Sequence, residues 1–292
     1  MQMPRAEIEV TTALVDALLR SQHPDLAGPL RRVANGWDNV IFRLGEDLAV
    51  RLPRRALAAQ LTANEQRWLP ELAPRLPVPV PEPVRSGRPE SGYPWPWSIV
   101  TWFDGRRLAE VPVPQRTTYA TTLARTYAAL HATAPAEAPA NPYRGIPLSD
   151  RAGLLDQHLS LIALAEEPRI RALWTELSAV PAWSRPPVWL HGDPHPGNIL
   201  VLDHRVTAMI DFGDLTAGDP ATDLALGWLA FDAVGRAQFI QVYEAERSLD
   251  ADVWSRARGW ALGLAVALLA HTDDEPLLAA VGRHALRQAL DG

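Results

Sequence analysis

The run His191-Gly192-Asp193-Pro194-His195-Pro196-Gly197-Asn198 reads as a loop from its glycines and prolines, and it leads into two β-type runs ending at Asp211-Phe212-Gly213. Ile199 to Leu202 and Val206 to Ile210, with Asp203-His204-Arg205 between them, form a hairpin whose return strand must bring Asp211 back beside the loop. Asp193, Asn198 five residues on and Asp211 eighteen on are therefore expected around one pocket. Magnesium takes hard oxygen donors and keeps waters, so one carboxylate and one amide oxygen, with phosphate oxygens completing the shell, suit it. Asn198 and Asp211 supply those two donors, and Asp193 is left free as a base. A single Asp beside Gly or Pro is commonly a turn residue; the three-part spacing is what argues for chemistry. His191 and His195 stand four apart, but in a proline-broken loop with no third ligand in the pattern, so they read as loop anchors and not as a zinc pair.

The elements that must position this loop change character about a third of the way along. Ala6 to Leu19 has helical spacing and breaks at His23-Pro24. Val40 to Leu44 and Leu48 to Leu52, parted by Gly45-Glu46-Asp47, are expected to form an antiparallel hairpin. Leu57, Leu61, Trp68 and Leu72 give the next helix one apolar stripe, and the helix must stop by Pro74. Leu76 to Pro83 is too rich in proline for a helix or a central strand and is an extended connector. Ser98 to Phe103 is a further strand ended by Asp104-Gly105, where a hinge is placed. Helical patterns then follow over Thr117 to His131, Leu154 to Leu164 and Ala257 to Leu269, interrupted by the one hairpin that carries the chemistry.

With these residues in view, the chain resembles the aminoglycoside phosphotransferase family and its relatives of the protein-kinase-like fold, over nearly its whole length. The His-Gly-Asp-x-x-x-x-Asn loop followed by Asp-Phe-Gly carries the resemblance; protein kinases share the offsets with Arg in place of Gly192. The resemblance implies an α+β, bilobal architecture: a β-rich nucleotide-binding lobe over 1–103 and a mainly helical lobe over 104–292 with the catalytic loop and acceptor site. It implies that Asp193 deprotonates the acceptor hydroxyl while Asn198 and Asp211 hold Mg2+ on the phosphates of ATP or GTP. Asn35-Gly36-Trp37-Asp38-Asn39 stands where such proteins place a loop over the phosphates, with Gly36 and Asn39 as its candidate nucleotide contacts. Arg51, in Ala-Val-Arg-Leu, resembles the phosphate-contacting position that is often lysine, with Arg43 as the alternative. Glu65 shares the stripe of Leu61 and Trp68, where a lone carboxylate is costly unless an opposite charge meets it, so an Arg51–Glu65 ion pair is expected. Backbone groups near Thr101 and Phe103 would hold the base. Asp223 resembles the helix aspartate that braces the catalytic loop, with His191 as its companion, and Asp219 ahead of Pro220 is a natural N-cap.

Composition prunes the rest. There is no cysteine, which excludes disulfide frameworks, thiolate nucleophiles and cysteine-ligated metals. Every one of the 28 basic side chains is arginine, which also removes the Walker A loop, lysine Schiff bases and Ser–Lys hydrolases. A net charge of −6 argues against nucleic acid and favours a small, cationic hydroxyl acceptor as partner. Asp273-Asp274-Glu275-Pro276 could face such a cation, but acids opening a helix are also what its dipole favours. Trp260 to Ala270 is about half the roughly 20 residues a bilayer requires, and Met1 to Val10 carries no signal-peptide segment, so a cytoplasmic chain with no membrane partner is expected. Two other readings are open: a protein kinase, which Gly192 and the missing Ala-Pro-Glu disfavour, and a non-catalytic nucleotide-binding regulator, which the intact Asp193, Asn198 and Asp211 argue against and the loose glycine loop and Arg51 mildly favour.

Overall fold

A computed structural model describes residues 5–272 and 275–292. The first element is helix α1 (Thr12–Gln22), followed by strands β1 (Leu30–Asn35), β2 (Asn39–Leu44) and β3 (Leu48–Pro53), helix α2 (Ala56–Leu72), and strands β4 (Pro83–Gly87) and β5 (Trp97–Thr101). The five strands form one sheet in the order β1-β2-β3-β5-β4, antiparallel throughout. Alternation along β2 turns Val40, Phe42 and Leu44 inward, where they meet Val50, Leu52, Trp97 and Ile99 under Val15, Leu18 and Leu19 of α1. Helix α2 meets the sheet through Gln66, whose Nε2 donates to the Trp97 carbonyl and the Ser98 hydroxyl.

Two expectations change here, and one strand was not foreseen. Helix α1 begins at Thr12 and not at Ala6, because Thr11 Oγ1 accepts the Leu14 N–H at 3.2 Å as an N-cap, while Glu7 N–H donates to the Arg54 carbonyl beside the end of β3. Strand β1 was not legible, since Arg31 and Arg32 are both exposed and leave no apolar alternation. The buried stripe of α2 is Ala58, Thr62, Glu65, Trp68, Leu69 and Leu72, rotated from the expected one, and Leu57 is 70% exposed. Helix α2 runs through Pro70 and ends at Leu72, short of Pro74 as expected, and a 3-10 turn follows.

The remaining chain contains β6 (Arg106–Arg107), α3 (Ala120–Leu130), α4 (Ala152–Leu159), α5 (Glu167–Ser178), β7 (Val188–Leu190), β8 (Ile199–Leu202), β9 (Arg205–Met209) and β10 (Thr216–Gly218). It closes with helices α6 (Ala221–Leu224), α7 (Leu226–Ala230), α8 (Ala233–Glu246), α9 (Val253–His271) and α10 (Pro276–Asp291). The expected helix from Thr117 starts as a 3-10 turn and becomes α-helical at Ala120; the one expected to reach Leu164 ends at Leu159. The expected hairpin is present, but it is not the only strand pair, because β7 pairs with β10 and β6 adds to the hairpin edge. The apolar run from Trp260 lies inside α9, the central helix of the large core, and no helix among the described residues is long and apolar enough to cross a membrane. Trp68, Leu69 and Leu72 of α2 join this same core, with the Trp68 and Trp189 rings 4.9 Å apart. Asp273 and Asp274 lie outside the described residues.

His158 on α4 packs edge-on against His271 of α9, ring centroids 4.8 Å apart. Burial, reinforced by His271, Arg151 and Arg144, lowers its imidazole from the usual 6.5 to about 4. Between those two values the unfolded chain takes up a proton that the folded chain refuses, so stability is lost as pH falls from 6.5 toward 4. His158→Gln is therefore expected to flatten the acid limb of the melting-temperature profile, measured by calorimetry from pH 7 to pH 4. An unchanged limb would show that this ring takes up its proton as readily folded as unfolded.

Candidate active site

The hairpin β8–β9 closes on two residues of positive φ, Asp203 at 48° and His204 at 60°, a turn whose twist matches the flanking strands and leaves Arg205 paired with Leu202. Its return brings the Ile210 N–H to the Asn198 carbonyl at 2.9 Å, so Asp211 leaves the hairpin beside the loop that entered it. Asp211 itself sits in the left-handed region, φ 64°, with its carboxylate more than half exposed. His191 locks the two arms: Nε2 donates to the Ile210 carbonyl at 2.9 Å, which leaves Nδ1 to accept the Asp193 N–H at 3.2 Å.

Asp193 is held asymmetrically. Its Oδ2 accepts from Asn198 Nδ2 at 2.9 Å and pairs with His195 Nε2 at 3.1 Å, whereas Oδ1 has no hydrogen bond among the described residues and lies 4.0 Å from Arg144 Nη2. Burial alone would raise this carboxyl; the His195 imidazole, with Arg144 and His191, instead carries it well below the usual carboxylate range. Burial would lower His195, and Asp193 outweighs that and raises it. Asn198 spends its amide nitrogen on Asp193, and its Oδ1 has no protein partner among the described residues. No group of three or more His, Asp or Glu side chains among the described residues could hold an ion alone. One amide oxygen and one exposed carboxylate are a partial donor set, and that suits a hydrated magnesium whose other ligands are waters and phosphate oxygens.

Behind the loop stands Asp223, fully buried, which accepts the His191 N–H on Oδ2 at 2.7 Å and the Gly192 N–H on Oδ1 at 2.9 Å. His131 Nε2 reaches the same Oδ2 at 3.2 Å, and its Nδ1 takes the Tyr243 hydroxyl at 2.6 Å. Burial raises the Tyr243 phenol, so it stays a donor and fixes the ring tautomer that gives Asp223 its third hydrogen bond. Gly192 has φ +87°, and a Cβ there would collide with the Asp214 carbonyl. Pro220, not Asp219, holds the N-cap position of α6; Asp219 stands one residue earlier, where its Oδ1 accepts the Ala221 N–H at 3.0 Å and its Oδ2 meets the buried guanidinium of Arg256, Nε at 2.6 Å.

On the sheet, Arg51 of β3 donates from Nη1 to both oxygens of Glu65, at 3.1 and 3.0 Å, and its Nη2 lies 3.9 Å from Asp211 Oδ1. Burial works against the Arg51 charge, but Glu65 and then Asp211 hold its pKa above the ordinary value. Arg43 is at the other end of the hairpin, stacked 4.6 Å over Trp102 and 3.4 Å from Asp104, so it is not grouped with Glu65 and Asp211. Gly36 donates its N–H to the Asn39 carbonyl at 2.9 Å; Arg54 bonds the Gly36 carbonyl at 3.0 Å and Arg55 pairs with Asp38, so the turn between β1 and β2 is tied down. Thr101 ends β5 opposite Leu48, three residues or about 10 Å from Ser98, which faces Arg51. Trp102 gives its N–H to the Asp47 carbonyl, and Phe103 follows it, half-buried.

Sequence reasoning missed Arg144, Asn141, Asp214, His131, Tyr243 and Arg256. Only Arg256 left a signal, a charge at the buried spacing of Val253, Ala257 and Trp260, which demands a partner by the logic applied to Glu65.

An antiparallel sheet joined to a helical body, with an Asp-bearing loop and an Asp-Phe-Gly turn brought together by a hairpin, is the protein-kinase-like architecture of phosphotransferases. Residues 29–260 match the phosphotransferase enzyme family, and the chain belongs to it. Among solved structures it is similar to the GDP complex of aminoglycoside 2'-phosphotransferase-IIIa, with TM-score 0.72 and 19% identity over 97% of this chain and 99% of that one. Macrolide 2'-phosphotransferase type I gives TM-score 0.66 and 26% identity, covering 94% of this chain and 98% of that one. The macrolide 2'-phosphotransferase MphH from Brachybacterium faecium gives 0.63 and 24% over the same shares. No curated protein sequence matches.

Proposed function

We propose that this phosphotransferase moves the γ-phosphate of ATP or GTP onto a hydroxyl of a small antibiotic-like molecule, with residues 1–103 holding the nucleotide and 104–292 the acceptor. The observation that carries the reading is the asymmetry of Asp193: one carboxylate oxygen is held by His195 and Asn198, and the other is left for an incoming hydroxyl. Asp193 Oδ1 takes the acceptor proton as the acceptor oxygen bonds to phosphorus, and the bond from phosphorus to the bridging oxygen breaks, its electron pair leaving on the nucleoside diphosphate. Asn198 and Asp211 would hold magnesium, which when bound neutralises charge on the phosphates. Arg51, set by Glu65, contacts those phosphates, with Gly36 and Asn39 in the turn nearby; backbone near Thr101 and Phe103 receives the base. Asp223 and His191 hold the loop in register.

Neighbouring structures carry GDP, ADP, or ATP with streptomycin, and those enzymes act on aminoglycosides or macrolides, which makes both classes the first acceptors to try. The test is a panel of macrolides and aminoglycosides incubated with ATP or GTP and magnesium, read by mass for one added phosphoryl group. Transfer to any hydroxyl bears the reading out. Magnesium-dependent nucleotide binding with no transfer across a broad panel would favour the non-catalytic binder, and a phosphopeptide product would favour a protein kinase.

The Arg51 assignment separates from its structural role in a pair of variants. Arg51→Met leaves Glu65 buried and unpaired and is expected to lower the melting temperature; adding Glu65→Leu restores it, since an apolar pair replaces a buried ion pair at little cost. Nucleotide affinity, measured by calorimetry, should be about 10–100-fold weaker in both variants. Recovery of affinity along with stability would remove Arg51 from the phosphates.

A further inference from the structure

Segment 139–145 has no regular structure, yet it is sewn to the chain that follows the Asp-Phe-Gly turn. Thr216 Oγ1 donates to the Pro139 carbonyl at 2.7 Å, Asn141 Nδ2 to Asp214 Oδ1 at 2.9 Å, Asp219 N–H to the Gly145 carbonyl at 3.0 Å, and Gly145 N–H to Thr222 Oγ1 at 3.1 Å. Gly145, φ +69°, lies so close to Gly218 that a Cβ on either would strike the other's backbone. This attachment delivers the residue before Gly145 into the site: Arg144 Nη2 is 3.1 Å from Asp214 Oδ2 and 4.0 Å from Asp193 Oδ1. The Arg144 side chain is 19% exposed, and its Nε is buried with no hydrogen-bond partner among the described residues.

A guanidinium beside a general base works against that base while the site is empty of substrate, because it disfavours proton uptake by the carboxylate. The placement becomes favourable when a negative phosphoryl group arrives at the same carboxylate oxygen and needs a cation. Arg51 and the magnesium donors Asn198 and Asp211 serve the donor side; on the acceptor side of Asp193, Arg144 is the charge within 4.0 Å of Oδ1.

We propose that Arg144 is a catalytic residue that contacts the phosphoryl group in flight, its guanidinium held in place by Asp214 and Asn141 next to the open oxygen of Asp193. This rests on the phosphotransfer reading above. Arg144 neutralises the equatorial oxygens as the bond to the acceptor oxygen forms and the bond to the diphosphate breaks; the proton goes to Asp193 and Arg144 keeps its own. Positive charge supplied in cis at this point is worth most in the transition state, where the phosphoryl charge is spread over three oxygens.

The test uses the full chain with magnesium and ATP or GTP, measuring slow nucleotide hydrolysis, with water as acceptor, beside transfer to any acceptor found. Arg144→Ala is expected to lower both rates about 10²–10³-fold with nucleotide affinity unchanged. Added guanidinium should restore part of the Arg144→Ala rate, and Arg144→Lys, which keeps charge without the fork, should fall between. Loss that follows the melting temperature and resists guanidinium would overturn the proposal in favour of a strap that only secures segment 139–145. Unchanged hydrolysis in Arg144→Ala or Arg144→Lys would also overturn it. A wild type that hydrolyses nucleotide but phosphorylates no acceptor sinks the transferase reading and leaves the Arg144 result readable on hydrolysis; one that does neither overturns both.

Discussion

Asp193→Asn is expected to lower turnover about 10²–10⁴-fold, the usual contribution of a positioned general base, while nucleotide binding persists. The substitution is nearly isosteric. The amide oxygen can still accept from Asn198 Nδ2 and His195 Nε2 at the place of Oδ2, so the loop keeps its internal bonds. What changes is the other atom: an amide NH2 takes the place of Oδ1 and cannot remove a proton. Single-turnover kinetics and nucleotide calorimetry on the same variant check both halves. Turnover within tenfold of wild type would remove Asp193 from the base role, and loss of nucleotide binding would show that the loop had collapsed instead.

Asp223→Asn is expected to have the second largest effect, first on stability and through it on the loop. Asp223 accepts at both oxygens, from the His191 and Gly192 N–H groups and from His131 Nε2. An asparagine retains one acceptor and turns a donor onto a donor, with no water to relieve it, since the residue is fully buried. A buried group stranded this way costs about 3 kcal/mol, or roughly 5 °C in melting temperature for a chain of this size. Because the stranded group includes the amide that precedes Asp193, kcat should fall more than nucleotide affinity. His131→Gln, which preserves a donor toward Asp223, is the matched control, and equal losses of kcat in the two variants would contradict a specific hold on the loop backbone.

The loop, the hairpin and the Arg51–Glu65 pair were legible because each is written in local signs: glycine and proline spacing, alternating apolar runs, and a carboxylate set on an apolar helix stripe. Segment 139–145 was not, because Pro139, Asn141 and Arg144 follow no period and find their partners at Asp214 and Thr216, some seventy residues later. His131 and Tyr243 were silent for the same reason: their bond joins the end of α3 to α8 across the core. The stripe of α2 was misplaced because its inward face includes Thr62 and Glu65, polar residues that an apolar count skips, while exposed Leu57 counts in their stead. Helices α5 and α8 went unread, and α8 buries only Gly235, Arg236, Phe239 and Tyr243, too mixed a face for a hydrophobic period.

Helix α2 carries Glu65 toward the sheet on one turn and Trp68 onto Trp189 on the next, just ahead of His191. A single rod thus ties the Arg51–Glu65 pair to the packing beneath the Asp193 loop, so under the proposed phosphotransfer a substitution that shifts Trp189 is expected to disturb Arg51 as well.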